Sequence, residues 1–99
     1  MAEIIFRQTA IDDLTAIWKY TVQKWSESQA DIYYQGIRLA CKEIAKKPNI
    51  GKSYQNIQAN LIGFKVGKHI IFYHQVSETT IEIVRILHER MDLERRIND

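Results

Sequence analysis

After the second of two helical stretches the hydrophobic period of this chain switches to strand spacing, and that switch restricts the fold more than any other feature. Apolar residues first fall at Ile11, Leu14, Ile17, Trp18, Val22 and Trp25, the recurrence that places one stripe on a helix. The spacing predicts a helix over 10–25, with Thr9 as its cap and Asp12 favouring the positive end of the dipole. Ser26 and Gln29 then stand at capping-box separation, which predicts a second helix start at once. Ala30, Tyr33, Tyr34, Ile37, Ala40, Cys41 and Ile44 keep one apolar face until Pro48, where a helix cannot continue. A link this short folds the pair into an antiparallel hairpin.

Beyond residues 48–60, a Pro, Gly, Ser and Asn stretch with no sustained period that reads as a loop, three runs have strand character: 61–66, 69–76 and 80–87. Gly67-Lys68 and Ser77-Glu78-Thr79 separate them as hairpin connections. Upstream of the helices, residues 3–7 form a short β-branched and aromatic run that reads as a first strand. The tail from His88 has only Met91, Leu93 and Ile97 as apolar anchors, consistent with a short helix or a frayed end. The expected architecture is a single α+β domain over 1–99, its helices covering one face of a small sheet.

Composition bounds the function. With 99 residues, 45% of them hydrophobic and 26% charged, one globular core is expected. A chain of this size buries about 60–70% of its unfolded surface, so its core is marginal and a partner adds to its stability. The lone Cys41 rules out an internal disulfide and points to a reducing compartment. The N-terminal residues lack the charged, apolar and cleavage segments of a signal peptide, and no apolar run reaches the ~18–20 residues of a membrane span, so a cytoplasmic location is expected. A net charge of +2 is too small for a dedicated DNA-binding surface.

Signatures of catalysis are missing: no phosphate-cradling glycine loop, Cys-x-x-Cys, His-Glu-x-x-His or Gly-x-Ser-x-Gly occurs. His69, His74 and His88 lack the spacing of metal ligands, so neither metal nor cofactor is expected. Cys41, on an apolar stripe, reads as a small core hydrophobe. Trp18, Trp25, Tyr33 and Tyr34 read as packing between hairpin and sheet rather than as a ligand cage. The sharper feature is Arg85 in an apolar strand followed by His88, Glu89, Arg90 and Met91. Strict alternation sets Ile81, Ile83, Arg85 and Leu87 on one face and Val84, Ile86 and His88 on the other. A cation among them requires a paired carboxylate, a solvent-facing groove or an anionic partner, and Glu82, Glu89 and Asp92 are the nearby carboxylates.

The segment Glu82-Ile83-Val84-Arg85-Ile86-Leu87-His88-Glu89-Arg90-Met91-Asp92-Leu93 closely resembles the C-terminal strand and tail of ParE toxins, within the wider RelE/ParE superfamily. The likeness extends to Asp13, Leu14, Ile17 and Tyr20, to Trp25 between the helices, to Pro48-Asn49-Ile50-Gly51-Lys52, and to Lys68-His69-Ile70-Ile71-Phe72-Tyr73. It therefore spans nearly the whole chain. The resemblance implies a β-α-α-β-β-β fold, a helical hairpin on a small antiparallel sheet. It also implies a toxin that poisons DNA gyrase, blocks replication and is neutralised by a ParD-like antitoxin whose flexible segment folds onto it. DNA is then reached only through antitoxin or gyrase.

On that reading the protein is an inhibitor and not an enzyme. Arg85, His88, Glu89, Arg90 and Met91 are the expected gyrase-binding residues, because charges around an exposed apolar anchor suit protein recognition. Trp18, Trp25, Tyr33 and Ile37 are the expected antitoxin-binding residues, serving as core, dock or both. Two alternatives stand beside it. RelE-type members cleave messenger RNA on the ribosome with a general base, a general acid and cations at the scissile phosphate, for which Lys65, Lys68, Arg85 and His88 are available with Tyr73 or Glu89. An inactive homologue would bind its antitoxin only to tune repression of its own operon.

Overall fold

The computed structural model describes residues 2–99. The elements run β1 (Glu3–Phe6), α1 (Gln8–Lys24), α2 (Glu27–Lys46), β2 (Lys52–Ser53), β3 (Ile62–Val66), β4 (His69–Ser77), β5 (Thr80–His88) and α3 (Leu93–Asn98). One five-stranded sheet has the order β1-β5-β4-β3-β2. The α+β class and the helical hairpin follow the sequence reading.

Both helix starts were legible, but only one is capped as expected. Ser26 Oγ accepts from the Gln29 amide at 3.0 Å and opens α2. Arg7, not Thr9, is the N-cap of α1, and it makes no side-chain capping bond. Thr9 lies inside the helix, where its hydroxyl donates to the Val84 carbonyl of β5 at 2.9 Å. A tertiary acceptor 75 residues away has taken the hydroxyl that local geometry would have assigned to the helix end.

The sheet is antiparallel from β2 through β5, while β1 joins the far edge in parallel, with Glu3 opposite Thr80 and Phe6 opposite Ile83. Parallel neighbours need a long crossover, and here both helices and the meander supply it. The loop read over 48–60 contains one short interruption, β2, which pairs Lys52 with Gly63 and Ser53 with Ile62. Two residues are too few to show a period in the sequence.

A β-bulge rearranges the facing of β5. Phe72 pairs with Arg85 and Tyr73 with Ile83, leaving Val84 as the extra residue. Such an insertion resets which side chains share a face. Ile81, Ile83 and Ile86 consequently join Ile37, Ile44, Ile71 and Tyr73 beneath the helices. Val84 and Leu87 turn to the opposite face with Leu61, Ile70 and Phe72. Strict alternation had separated Ile86 from Ile83 and grouped Leu87 with it; the bulge reverses both.

Both sheet faces are therefore covered. Beyond the helical hairpin, the second face packs against Tyr54, Ile57 and, from α3, Leu93 and Ile97. The tail resolves into a helix because Asp92 caps it, accepting from the Arg95 amide at 3.2 Å, and because those two side chains are anchored. Leu93 and Ile97 are partly buried, so each contributes less than the ~1.5–3 kcal/mol of a fully buried aliphatic, and with the cap they hold so short a helix. Tyr73 is fully buried and donates to the Pro48 carbonyl at 2.7 Å, tying the end of α2 to the sheet centre. Among the described residues, no helix is long and apolar enough to cross a membrane.

Candidate protein-docking groove

Where β1 ends at Phe6, the upper edge of β5 loses its strand neighbour, and α1 supplies side chains in its place. Thr9 takes the Val84 carbonyl, and one turn later Asp13 accepts the Ile86 amide at 3.0 Å. The Asp13 carboxylate also takes a two-pronged contact from Arg85, with Nε and Nη2 each at 2.8 Å. The remaining arm of Arg85 donates to the Arg96 carbonyl of α3 at 3.1 Å. Fork-to-fork pairing of this kind is the strongest geometry for an Arg–carboxylate contact, and Asp13 raises the pKa of the guanidinium further.

Arg85 is thus an internal clamp joining α1, β5 and α3. The ion-pair reading of this residue holds, but its partner is none of the three carboxylates the sequence suggested. Glu82 pairs with Arg7 at 2.9 Å, Glu89 with Lys65 at 2.7 Å, and Asp92 caps α3. Asp13 lies 72 residues from Arg85, beyond what local spacing can reveal.

Above this clamp lies a cleft of about 530 Å³, floored by Ile17, Ile86, His69 and His88 and rimmed by Tyr20, Arg90, Met91 and Arg96. A second depression of about 510 Å³ adjoins it, adding Trp25, Gln29, Tyr33 and Lys68 while sharing Tyr20, His69 and His88. The two form one groove across the end of the hairpin. Tyr20 and Trp25 stand out from it, 62% and 71% exposed, so its walls offer aromatic area that the chain itself does not cover. Cations occupy its rim.

The groove floor is a cross-strand histidine pair. His69 and His88 are register partners with ring centroids 5.3 Å apart. Tyr33 donates its hydroxyl proton to the Val66 carbonyl, so its oxygen accepts from His69 Nδ1. This assignment follows from the hydrogen-bond network and leaves His69 Nε2 with its lone pair. His88 Nδ1 accepts the Arg90 amide at 3.1 Å, which puts the ring proton on Nε2. Burial, then the neighbouring His88, lowers the pKa of His69, with Asp13 and Glu89 acting in the opposite sense. The Tyr33 hydroxyl is shifted upward, chiefly by burial. Gly67 closes the adjoining turn at φ 57°, and a Cβ there would sit 2.9 Å from the Tyr33 ring.

The candidate residues named from sequence are dispersed. His88, Arg90 and Met91 line the groove; Arg85 lies behind it, and Glu89 faces Lys65, which lowers its pKa. Trp25 and Tyr33 line the second depression. Trp18 borders the narrow crevice between the helices, and Ile37 is core, 1% exposed. Sequence reasoning missed Tyr20 and His69 as groove residues. For His69 the signal was the hairpin partnership of residue 69 with residue 88, readable once the turn at Gly67-Lys68 was placed; for Tyr20 there was no local signal. Cys41 is buried, and its thiol is pushed up to about 11 by burial, which leaves it protonated and inert near neutrality.

A helical hairpin laid on a twisted sheet, with the groove at its end, defines a RelE/ParE-like toxin fold. The solved structure titled "Chromosomal ParDE TA system from P. aeruginosa" shares it at a TM-score of 0.74, with 20% identity, over 89% of this chain and 96% of that one. The family described as "ParE toxin of type II toxin-antitoxin system, parDE" matches residues 4–93. Toxin ParE1 of Mycobacterium tuberculosis (strain ATCC 25618 / H37Rv) is 34% identical over 84 residues, 85% of this chain and 86% of that protein. Toxin ParE1 of Caulobacter vibrioides is 32% identical over 80 residues, 81% of each chain. This chain belongs to the ParE toxin family of type II toxin–antitoxin systems.

Proposed function

We propose that this toxin poisons DNA gyrase in the cytoplasm, acting by contact and not as an enzyme, and that a ParD-like antitoxin neutralises it. The observation that carries this reading is the groove itself. Exposed aromatic and Met side chains beside Arg90 and Arg96 have the composition of a protein-recognition surface. Arg90 and Met91 are its free anchors, and the Arg85–Asp13 clamp fixes the segment that presents them. The aromatic wall formed by Tyr20 and Trp25 is the surface we assign to the antitoxin, whose acidic residues would meet the cationic rim.

The ribonuclease alternative draws less support. Of the side chains available for it, Arg85 is bound by Asp13, Lys65 by Glu89, and Tyr73 is fully buried and bonded to Pro48. A gyrase assay with supercoiled and relaxed plasmid is the test. Toxin-dependent accumulation of cleaved DNA, reversed by antitoxin and lost in Arg90→Glu/Met91→Asp, is the expected result. Unaffected gyrase together with ribosome-dependent messenger cleavage would overturn the proposal.

A further inference from the structure

The outer face of α2 carries apolar side chains that the rest of the chain leaves open. Ile32 is 64% exposed and Leu39 60%. Seven residues apart, they lie about 10 Å from one another along one stripe. Gly36 sits between them, where an added Cβ would meet nothing within 4 Å. A glycine inside an exposed helix costs about 1 kcal/mol relative to alanine, and no internal neighbour requires this one. Bare backbone flanked by two aliphatics admits the close approach of another helix, as interhelical packing demands.

The charges beside this stripe select what approaches. Glu27 and Asp31 lie in the N-terminal half of α2, and Arg38, Lys42 and Lys46 in the C-terminal half, all exposed. Glu43 is the exception to this polarity, 3.9 Å from Lys46. We propose that α2 pairs antiparallel with α2 of a second copy of this chain, about a two-fold axis between Gln35 and Gly36. That arrangement sets Ile32 against Leu39 of the second copy, with Gly36 at the crossing. On the shared flank Asp31 lies level between Arg38 and Lys42 of the second copy. A parallel two-fold pair would instead carry the two charged flanks to opposite sides of the seam, where Asp31 meets neither Arg38 nor Lys42 of the second copy, so only the antiparallel pair uses these charges. The stripe offers less than the ~800 Å² that each partner contributes to a stable complex, so the pair is weak and concentration-dependent. Its Ile32 end adjoins the second depression, one turn from Gln29, but the pairing uses neither Arg90 nor Met91 and so does not rest on the gyrase reading.

Sedimentation equilibrium of the purified full chain over about 5–500 µM, the range suited to an interface this small, tests the proposal. The apparent mass is expected to rise from 11.7 kDa toward twice that value. Leu39→Asp should weaken association at least tenfold with an unchanged thermal melt. Gly36→Gln should melt higher yet associate less, because its side chain fills the crossing but nothing within the monomer. Asp31→Lys and Arg38→Glu/Lys42→Glu should each lose self-association, and mixing the two should restore it as a mixed pair. A monomer throughout the range, or association insensitive to Leu39→Asp, overturns the proposal. So does a monomeric chain whose Leu39→Asp variant loses antitoxin binding, which would assign the face to the antitoxin.

Discussion

Removing Asp13 is expected to cost this toxin a large part of its stability while altering no apolar side chain of the core. Its carboxylate accepts from two Arg85 nitrogens and from the Ile86 amide, and the two side chains are only 15% and 20% exposed. Truncating one member of a fully buried pair costs about 3–5 kcal/mol, because the other charge is left uncompensated. The partial exposure here scales that to roughly 2–3 kcal/mol, and the orphaned Ile86 amide adds about 1 kcal/mol. A loss of about 3–4 kcal/mol is a substantial share of the 5–15 kcal/mol that holds a typical domain folded. In a chain of this length it lowers Tm by about 12–32 °C.

Asp13→Ala, Arg85→Met and the double variant, melted in parallel by circular dichroism, form the appropriate cycle. The double variant should recover most of the loss, since no charge is then stranded, short of the amide contribution. The clamp would be refuted by a coupling energy below about 0.5 kcal/mol, or by Asp13→Ala melting within 3 °C of the parent.

Further outcomes follow from the same structure. His69 has its pKa lowered in the fold by burial and His88, so the unfolded chain binds the proton more readily. Stability should therefore fall as pH drops below about 6.5, the ordinary histidine value, until the folded-state pKa is passed. His69→Gln should flatten that limb of a pH-dependent melting series. Cys41, buried with its thiol raised to about 11, should resist a thiol reagent at pH 8 in the native state and react promptly in denaturant. Ile97→Ala should release α3 from the second sheet face at a cost of about 2 kcal/mol, read as accelerated amide exchange over 93–98 before the core exchanges.

Much of the fold was legible locally because its cues are local. Two amphipathic helices, the cap at Ser26, the stop before Pro48 and two tight turns set the element order without reference to contacts across the chain. The groove was half legible: His88, Arg90 and Met91 emerge from the run that ends β5, and Trp25 from the turn between helices. Tyr20 and His69 enter it only because α1 crosses the upper edge of β5 and because residue 69 is the register partner of residue 88.

What the tertiary structure decided is where a local rule met a longer-range competitor. Thr9 left its expected cap for a strand carbonyl, and Arg85 chose a carboxylate on a helix over three neighbours in sequence. The bulge at Val84 turned Ile86 beneath the helices against simple alternation. The sequence alone determined the two long helices, the four longer strands and their order, since periodicity and capping act over a turn or two. The parallel placement of β1, the facing of β5 and the Asp13–Arg85 clamp depend on which distant groups compaction brings within hydrogen-bonding range, and only the folded chain settles that.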